Sequence, residues 1–170
     1  MKQRNVPGSA VRRGRRIAGH AQAAERTDPY RLPGKLSEPA ACPQCAAVYH
    51  DGRWQWLPRP PGAHEVLCQA CHRVNDRLPA GVLTLRGPRL PAHRSEIESI
   101  ARKLEQAERQ EHPLNRIMAI EETADELTIT TTDIHLPRRI GEAVHRALRG
   151  ALSLHYGEGE YSLRATWTGE

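Results

Sequence analysis

Cys42-Pro43-Gln44-Cys45 and Cys68-Gln69-Ala70-Cys71 are two Cys-x-x-Cys turns separated by 22 residues, and the fold follows from how they are read. Two intervening residues let a tight turn aim both sulfurs at one point. Two such turns complete a tetrahedron with metal–sulfur bonds near ~2.3 Å. Thiolate softness favours zinc, with iron second, over magnesium or calcium. Four cysteine ligands leave no open coordination position. A structural Zn2+ on Cys42, Cys45, Cys68 and Cys71 is therefore expected. His72 abuts Cys71 and could replace a ligand, but with four cysteines present it is expected to face solvent. A thioredoxin-like redox pair would use one such motif in a βαβ setting, which this chain lacks. A disulfide framework would need an oxidising compartment, for which no feature argues.

The residues between the cysteine turns support this reading. Val48-Tyr49-His50 and Arg53-Trp54-Gln55-Trp56 flank Asp51-Gly52, a dipeptide favoured in two-residue hairpin turns. Val82-Leu83-Thr84-Leu85 offers a third strand beyond the second turn, and residues 40–91 read as a zinc ribbon. A module of roughly 50 residues with so few large apolar groups is marginal alone, and a metal supplies on the order of 10 kcal/mol. In a strand Trp54 and Trp56 share one face. Two roles are open to them: stacking on unpaired bases beside Arg53, or covering a small core. Leu57-Pro58-Arg59-Pro60-Pro61 reads as a stiff bridge.

The whole chain has 170 residues, 38% hydrophobic, with no Phe and a mean hydropathy of −0.66, which argues against a large core. This length suits one domain, or two very small ones with tails. No run approaches the ~20 apolar residues of a membrane span. The amino terminus has charges without an apolar block behind them, so a cytoplasmic protein with no membrane partner is expected. The net charge of +5 is graded along the chain. Residues 1–39 hold nine Lys and Arg against three Asp and Glu, whereas 113–170 hold six against nine. A basic first half suits a polyanion partner for that half. Residues 1–39 read as a disordered basic arm, in which Arg12, Arg13, Arg15 and Arg16 either solvate a tail or dock on phosphates.

Residues 92–112 read as a connecting helix, with Ser95 and Glu98 fitting a capping box and Ile97, Ile100, Ala101, Leu104 and Ala107 forming an apolar stripe. Residues 113–170 read as a ββαββ domain, an antiparallel sheet with one helix on its apolar face. Its first hairpin turns at Thr123-Ala124-Asp125. Asp133 is a candidate cap for its helix, Gly150 a left-handed C-cap, and Gly157-Glu158-Gly159 the second reversal. The expected class is α+β. Arg138, Arg139, Arg146 and Arg149 stud that helix, either as a solvated face or as a phosphate-contacting one. There is no Gly-rich phosphate loop, nucleophile elbow or paired acid and base, so no enzyme is expected.

Cys42 to Cys45, the hairpin through Tyr49 and Trp54, and Cys68 to Cys71 resemble the amino-terminal zinc-ribbon region of the nonsense-mediated-decay-type export adaptors of the large ribosomal subunit. The stretch from about Asp28 to Trp167 is similar to small bacterial relatives of that family. Pro79-Ala80-Gly81, His112-Pro113-Leu114-Asn115-Arg116-Ile117-Met118 and Thr131-Thr132-Asp133-Ile134-His135-Leu136-Pro137-Arg138-Arg139-Ile140-Gly141-Glu142 carry the closer match. The chain departs from the adaptors in having one pair of cysteine motifs and none of their long downstream domains. The resemblance implies zinc and contact with RNA or the ribosome. The function expected is therefore non-catalytic RNA binding, with Arg12, Arg13, Arg15, Arg16, Arg53, Trp54, Arg138, Arg139, Arg146 and Arg149 as candidate contacts. The alternative is a protein–protein adaptor that docks through ribbon and sheet.

Overall fold

The computed structural model describes residues 28–170, so Arg12, Arg13, Arg15 and Arg16 lie outside the described residues. A mixed α+β fold with two sheets and three helices is observed among these residues. No described helix is long and apolar enough to cross a membrane.

The first sheet is small. Strands β1 (Ala40–Ala41), β2 (Val48–His50), β3 (Arg53–Gln55) and β4 (His64–Glu65) lie in the order β3-β2-β1-β4, with β1 parallel to β4 and the other pairs antiparallel. Asp51 and Gly52 both take positive φ between the paired His50 and Arg53, as a two-residue hairpin turn requires. The Glu38 carboxylate accepts from both turn amides, at 2.8 and 2.9 Å. Helix α1 (Gln69–Asp76) follows directly on Cys68.

Residues 28–39 are expected from the sequence to belong to the arm, yet they run as a strap over this unit. Asp28 pairs with the buried Arg73, Tyr30 donates its hydroxyl to Asp76, and the Arg73 guanidinium lies 4.6 Å from the Tyr30 ring centre. A buried guanidinium needs such a partner, which explains why the strap is held.

The second sheet has five strands: β5 (Gly81–Arg86), β6 (Ile117–Glu122), β7 (Glu126–Thr131), β8 (Ala151–Tyr156) and β9 (Leu163–Thr168), in the order β6-β7-β5-β9-β8. The run Val82–Leu85 is therefore not a third ribbon strand. It forms the centre of the second sheet, antiparallel to β7 and parallel to β9. This also corrects the purely antiparallel ββαββ expectation: the sheet is mixed, with β5 added ahead of the β6-β7-α3-β8-β9 order. Leu83 and Leu85 are fully buried, and a strand that buries both needs neighbours on either side, which a four-cysteine ribbon cannot supply. Helices α2 (Leu90–Glu111) and α3 (His135–Leu148) link β5 to β6 and β7 to β8 as two interleaved split β-α-β crossovers. Leu83, Leu85, Leu127, Ile129, Ala165 and Trp167 from the sheet pack with Leu90, Ile97 and Ala101 of α2 and Leu136, Ile140 and Val144 of α3.

Helix α2 starts at Leu90, before the expected capping box, so Ser95 and Glu98 sit inside it and cap nothing. Pro91 in the first turn and the buried Leu90 set the start instead. Gly81 is needed for close approach: a Cβ there would lie 2.4 Å from Pro137 and from the Thr131 hydroxyl.

Asp133 does cap α3. Its Oδ2 accepts from the amides of His135 and Leu136 at 2.7 and 2.8 Å, while Oδ1 is buried without a partner among the described residues. Burial raises the Asp133 carboxyl above its usual range despite the pull of these amides. A raised carboxyl favours folding at low pH, and that contribution is lost as pH climbs from the unfolded value near ~3.9 through the folded one. Asp133→Asn keeps an acceptor for the cap but removes the titration. The Tm of this variant, taken relative to the unmodified protein, is expected to rise between about pH 4 and about pH 7. A flat offset over that range contradicts the assignment.

Candidate metal centre

The two cysteine turns are built differently. In the first, Cys42 N–H donates to the Ala47 carbonyl and Ala46 N–H to the Cys42 carbonyl, with Ala46 at positive φ, so the chain folds back on itself within five residues. In the second, Cys68 is the N-cap of α1, and its Sγ accepts from Cys71 N–H at 3.4 Å. Cys68 N–H in turn donates to Cys42 Sγ at 3.4 Å. A helix N-terminus carries a partial positive charge and so favours thiolate there.

The four Sγ atoms all lie within 4.8 Å of one another, with Cys42, Cys68 and Cys71 buried and Cys45 half-buried. Cys45 and Cys68 Sγ are 3.7 Å apart. A tetrahedral thiolate site with bonds near ~2.3 Å has edges of about 3.8 Å, so the Cys45–Cys68 edge already matches and the cluster is close to the size a four-coordinate ion requires. Such an ion would supply a rigid cross-link between the two turns. All four positions come from cysteine, so none is left for water or substrate. His72 takes no place in the cluster, as expected.

Without an ion the sulfurs share their protons unequally. The hydrogen bond from Cys68 holds the Cys45 thiol down to about 4. That same bond, together with burial, pushes Cys68 up, and burial pushes Cys71 up. A metal binding here would displace the remaining thiol protons to solvent and hold the sulfurs as thiolates.

Arg116 is absent from the site residues expected from the sequence, and it completes the centre. Its guanidinium donates to Cys68 Sγ at 3.3 Å, Cys45 Sγ at 3.4 Å and Cys71 Sγ at 3.5 Å. The arm is fixed by its own Nε–H to the Pro113 carbonyl at 2.8 Å, and its backbone amide donates to the Thr132 hydroxyl. Burial works against the Arg116 charge, but the three sulfurs outweigh it and raise its pKa. Four thiolates around a divalent ion carry a net charge of about −2, and one guanidinium halves it. Arg116 immediately precedes β6, so it also ties the sheet module to the ribbon.

Trp54, expected as a candidate RNA contact, belongs to the ribbon core instead. It is 7% exposed, packs edge-on against Tyr49 with centroids 5.5 Å apart, and donates its indole N–H to Gln69. With such short strands and no Phe, the sulfur cluster needs this indole as cover. Trp56 lies past the end of β3 and does not share that role. Its indole donates to the Arg109 carbonyl of α2, with the Arg109 guanidinium 5.4 Å from its ring. Arg53 is exposed on the hairpin. On α3, Arg138 pairs with Glu142 at 2.8 Å and Arg139 with the buried Glu108, while Arg146 and Arg149 are exposed near the helix end. The exposed trio Glu38, His50 and Asp51 also brings ligand atoms together. There the Glu38 carboxylate is occupied by the turn amides.

Comparisons with protein-family models, with curated proteins and with solved structures returned no match.

Proposed function

We propose that this chain is a non-catalytic zinc-ribbon protein that binds RNA, ribosomal RNA foremost. Exposed cations beside the cysteine cluster that enter no ion pair among the described residues carry the reading. Around the sheet module Arg86, Arg94, Arg102, Arg138 and Arg139 each face a carboxylate. On the strap and ribbon, Lys35 and Arg53 are exposed and enter no ion pair among the described residues. Cations left unmatched beside a rigid, metal-braced edge suit a polyphosphate. Zinc is the metal that four thiolates in a closed tetrahedron favour. A closed centre gives it a structural task. The resemblance to the ribosomal export adaptors supports ribosomal RNA over other RNA.

The test is the salt dependence of binding to single-stranded RNA by the full chain. The logarithm of affinity should fall linearly with the logarithm of salt concentration. Replacing Arg12, Arg13, Arg15 and Arg16 together by Ala should make that line shallower by about 0.7 for every phosphate these arginines neutralise. Salt-insensitive retention of one protein, with no RNA bound, would favour the adaptor reading. That second reading has its own support in the open face of the five-stranded sheet. There Val82, Thr84, Thr128, Thr130 and Thr166 are half-buried, on the side opposite the α2 and α3 core.

A further inference from the structure

The strap, the ribbon hairpin, the head of α1 and the 112–115 loop enclose a cleft of about 640 Å³. Its rim carries Arg31, Lys35, Arg53 and His112, and none of its lining side chains is a carboxylate. Its walls hold neutral groups with unused capacity. Gln69 spends its carbonyl on the Trp54 indole, leaving its amide N–H groups without a described partner. Asn115 spends its N–H on Glu108, leaving its carbonyl open. The Tyr49 hydroxyl likewise has no partner among the described residues.

Resting on the RNA-binding reading above, we propose that this cleft seats one nucleotide of an RNA single strand. Lys35 and Arg53, with Arg31 beside them, take its phosphate. The amide donor of Gln69 and the carbonyl of Asn115 face the edge of its base, a donor and an acceptor as base recognition requires. The volume lies within the about 300–1,000 Å³ of small-ligand sites. The aromatic rings of Tyr49 and Trp54 are too deeply buried to stack, so recognition is by phosphate and base edge. Because Gln69 follows Cys68 directly, the metal centre fixes one wall of the cleft, and RNA affinity depends on the metal through its shape.

The experiment compares two double variants of the full, metal-loaded chain: Lys35→Ala with Arg53→Ala in the cleft, and Arg86→Ala with Arg102→Ala on the sheet module, where each faces a carboxylate. Both are surface changes, and unchanged metal content and Tm show that each variant is folded. Binding of a labelled random-sequence oligoribonucleotide is measured over a salt series, with inorganic phosphate and a nucleoside monophosphate as separate titrants. The cleft variant should lower the salt slope by about 0.7, and RNA should shift the side-chain amide resonances of Gln69 and Asn115. The sheet-module variant should bind as the unmodified chain does. Equal weakening by both variants, or RNA binding with those amide resonances unmoved, overturns the cleft while leaving RNA binding in place. Inorganic phosphate or monophosphate filling the cleft in a chain that binds no RNA overturns both readings.

Discussion

Cys68→Ser is expected to abolish stoichiometric metal binding and unfold the ribbon while leaving the sheet module folded. Cys68 has more tasks than any other ligand. It caps α1, lies 3.7 Å from Cys45 Sγ, receives the Arg116 guanidinium and donates its amide to Cys42. The ribbon core beyond the cysteines is little more than Ala40, Ala47, Tyr49, Trp54 and Ala70. Such a cluster cannot offset the chain entropy of its segment, so the loss approaches the full metal contribution of about 10 kcal/mol or more. The sheet module has an independent core running from Leu83 to Trp167 and should survive. Far-UV circular dichroism should therefore keep the signal of α2 and α3, while the near-UV signal of Trp54 disappears and that of the buried Trp167 remains. A variant that binds one equivalent of metal, or loses both modules in a single transition at the original temperature, contradicts this.

Arg116→Met should weaken metal binding by about 10–100-fold, the range seen when partners of metal ligands are removed. Methionine preserves much of the side-chain volume but removes three N–H···S hydrogen bonds and the one positive charge set against the thiolates. Arg116→Lys should rescue little, because a single ammonium cannot reproduce a planar fork spread over Cys45, Cys68 and Cys71. Competition against a chromophoric chelator gives the affinity directly. The same variant should expose the ribbon to protease at lower temperature than the sheet, since the Arg116 link between the modules is gone. Equal affinities for the unmodified protein and both variants would show that the guanidinium lies beside the cluster without acting on it.

The four-cysteine cluster was legible because its signal is local. Two residues between cysteines define a turn, and Asp51-Gly52 defines a hairpin, whatever the rest of the chain does. The strand Gly81–Arg86 was legible as a strand but not as a member of its sheet. Alternating burial reports one covered face, and nothing in it says that the partners are Glu126–Thr131 and Leu163–Thr168. Ser95 and Glu98 satisfied a capping pattern that the structure overrides, because Pro91 and the buried Leu90 begin the helix more than a turn earlier. Trp54 was open to two readings until its neighbours were known. Arg116 was not legible at all as a site residue, although it lies in the His112–Met118 stretch on which the family resemblance rests. Its hydrogen bond to Cys45 spans 71 residues of chain, and no spacing rule reaches that far.

The most direct test of the account is the metal content of protein purified under reducing conditions, with the metal's X-ray absorption spectrum measured on the same sample. One zinc per chain with four sulfur neighbours at about 2.3 Å is the predicted result, together with loss of the ribbon's near-UV signal on chelation. Protein with no stoichiometric metal, and with an unchanged spectrum in chelator, would mean that the ribbon stands without the ion, and the account would be wrong at its base.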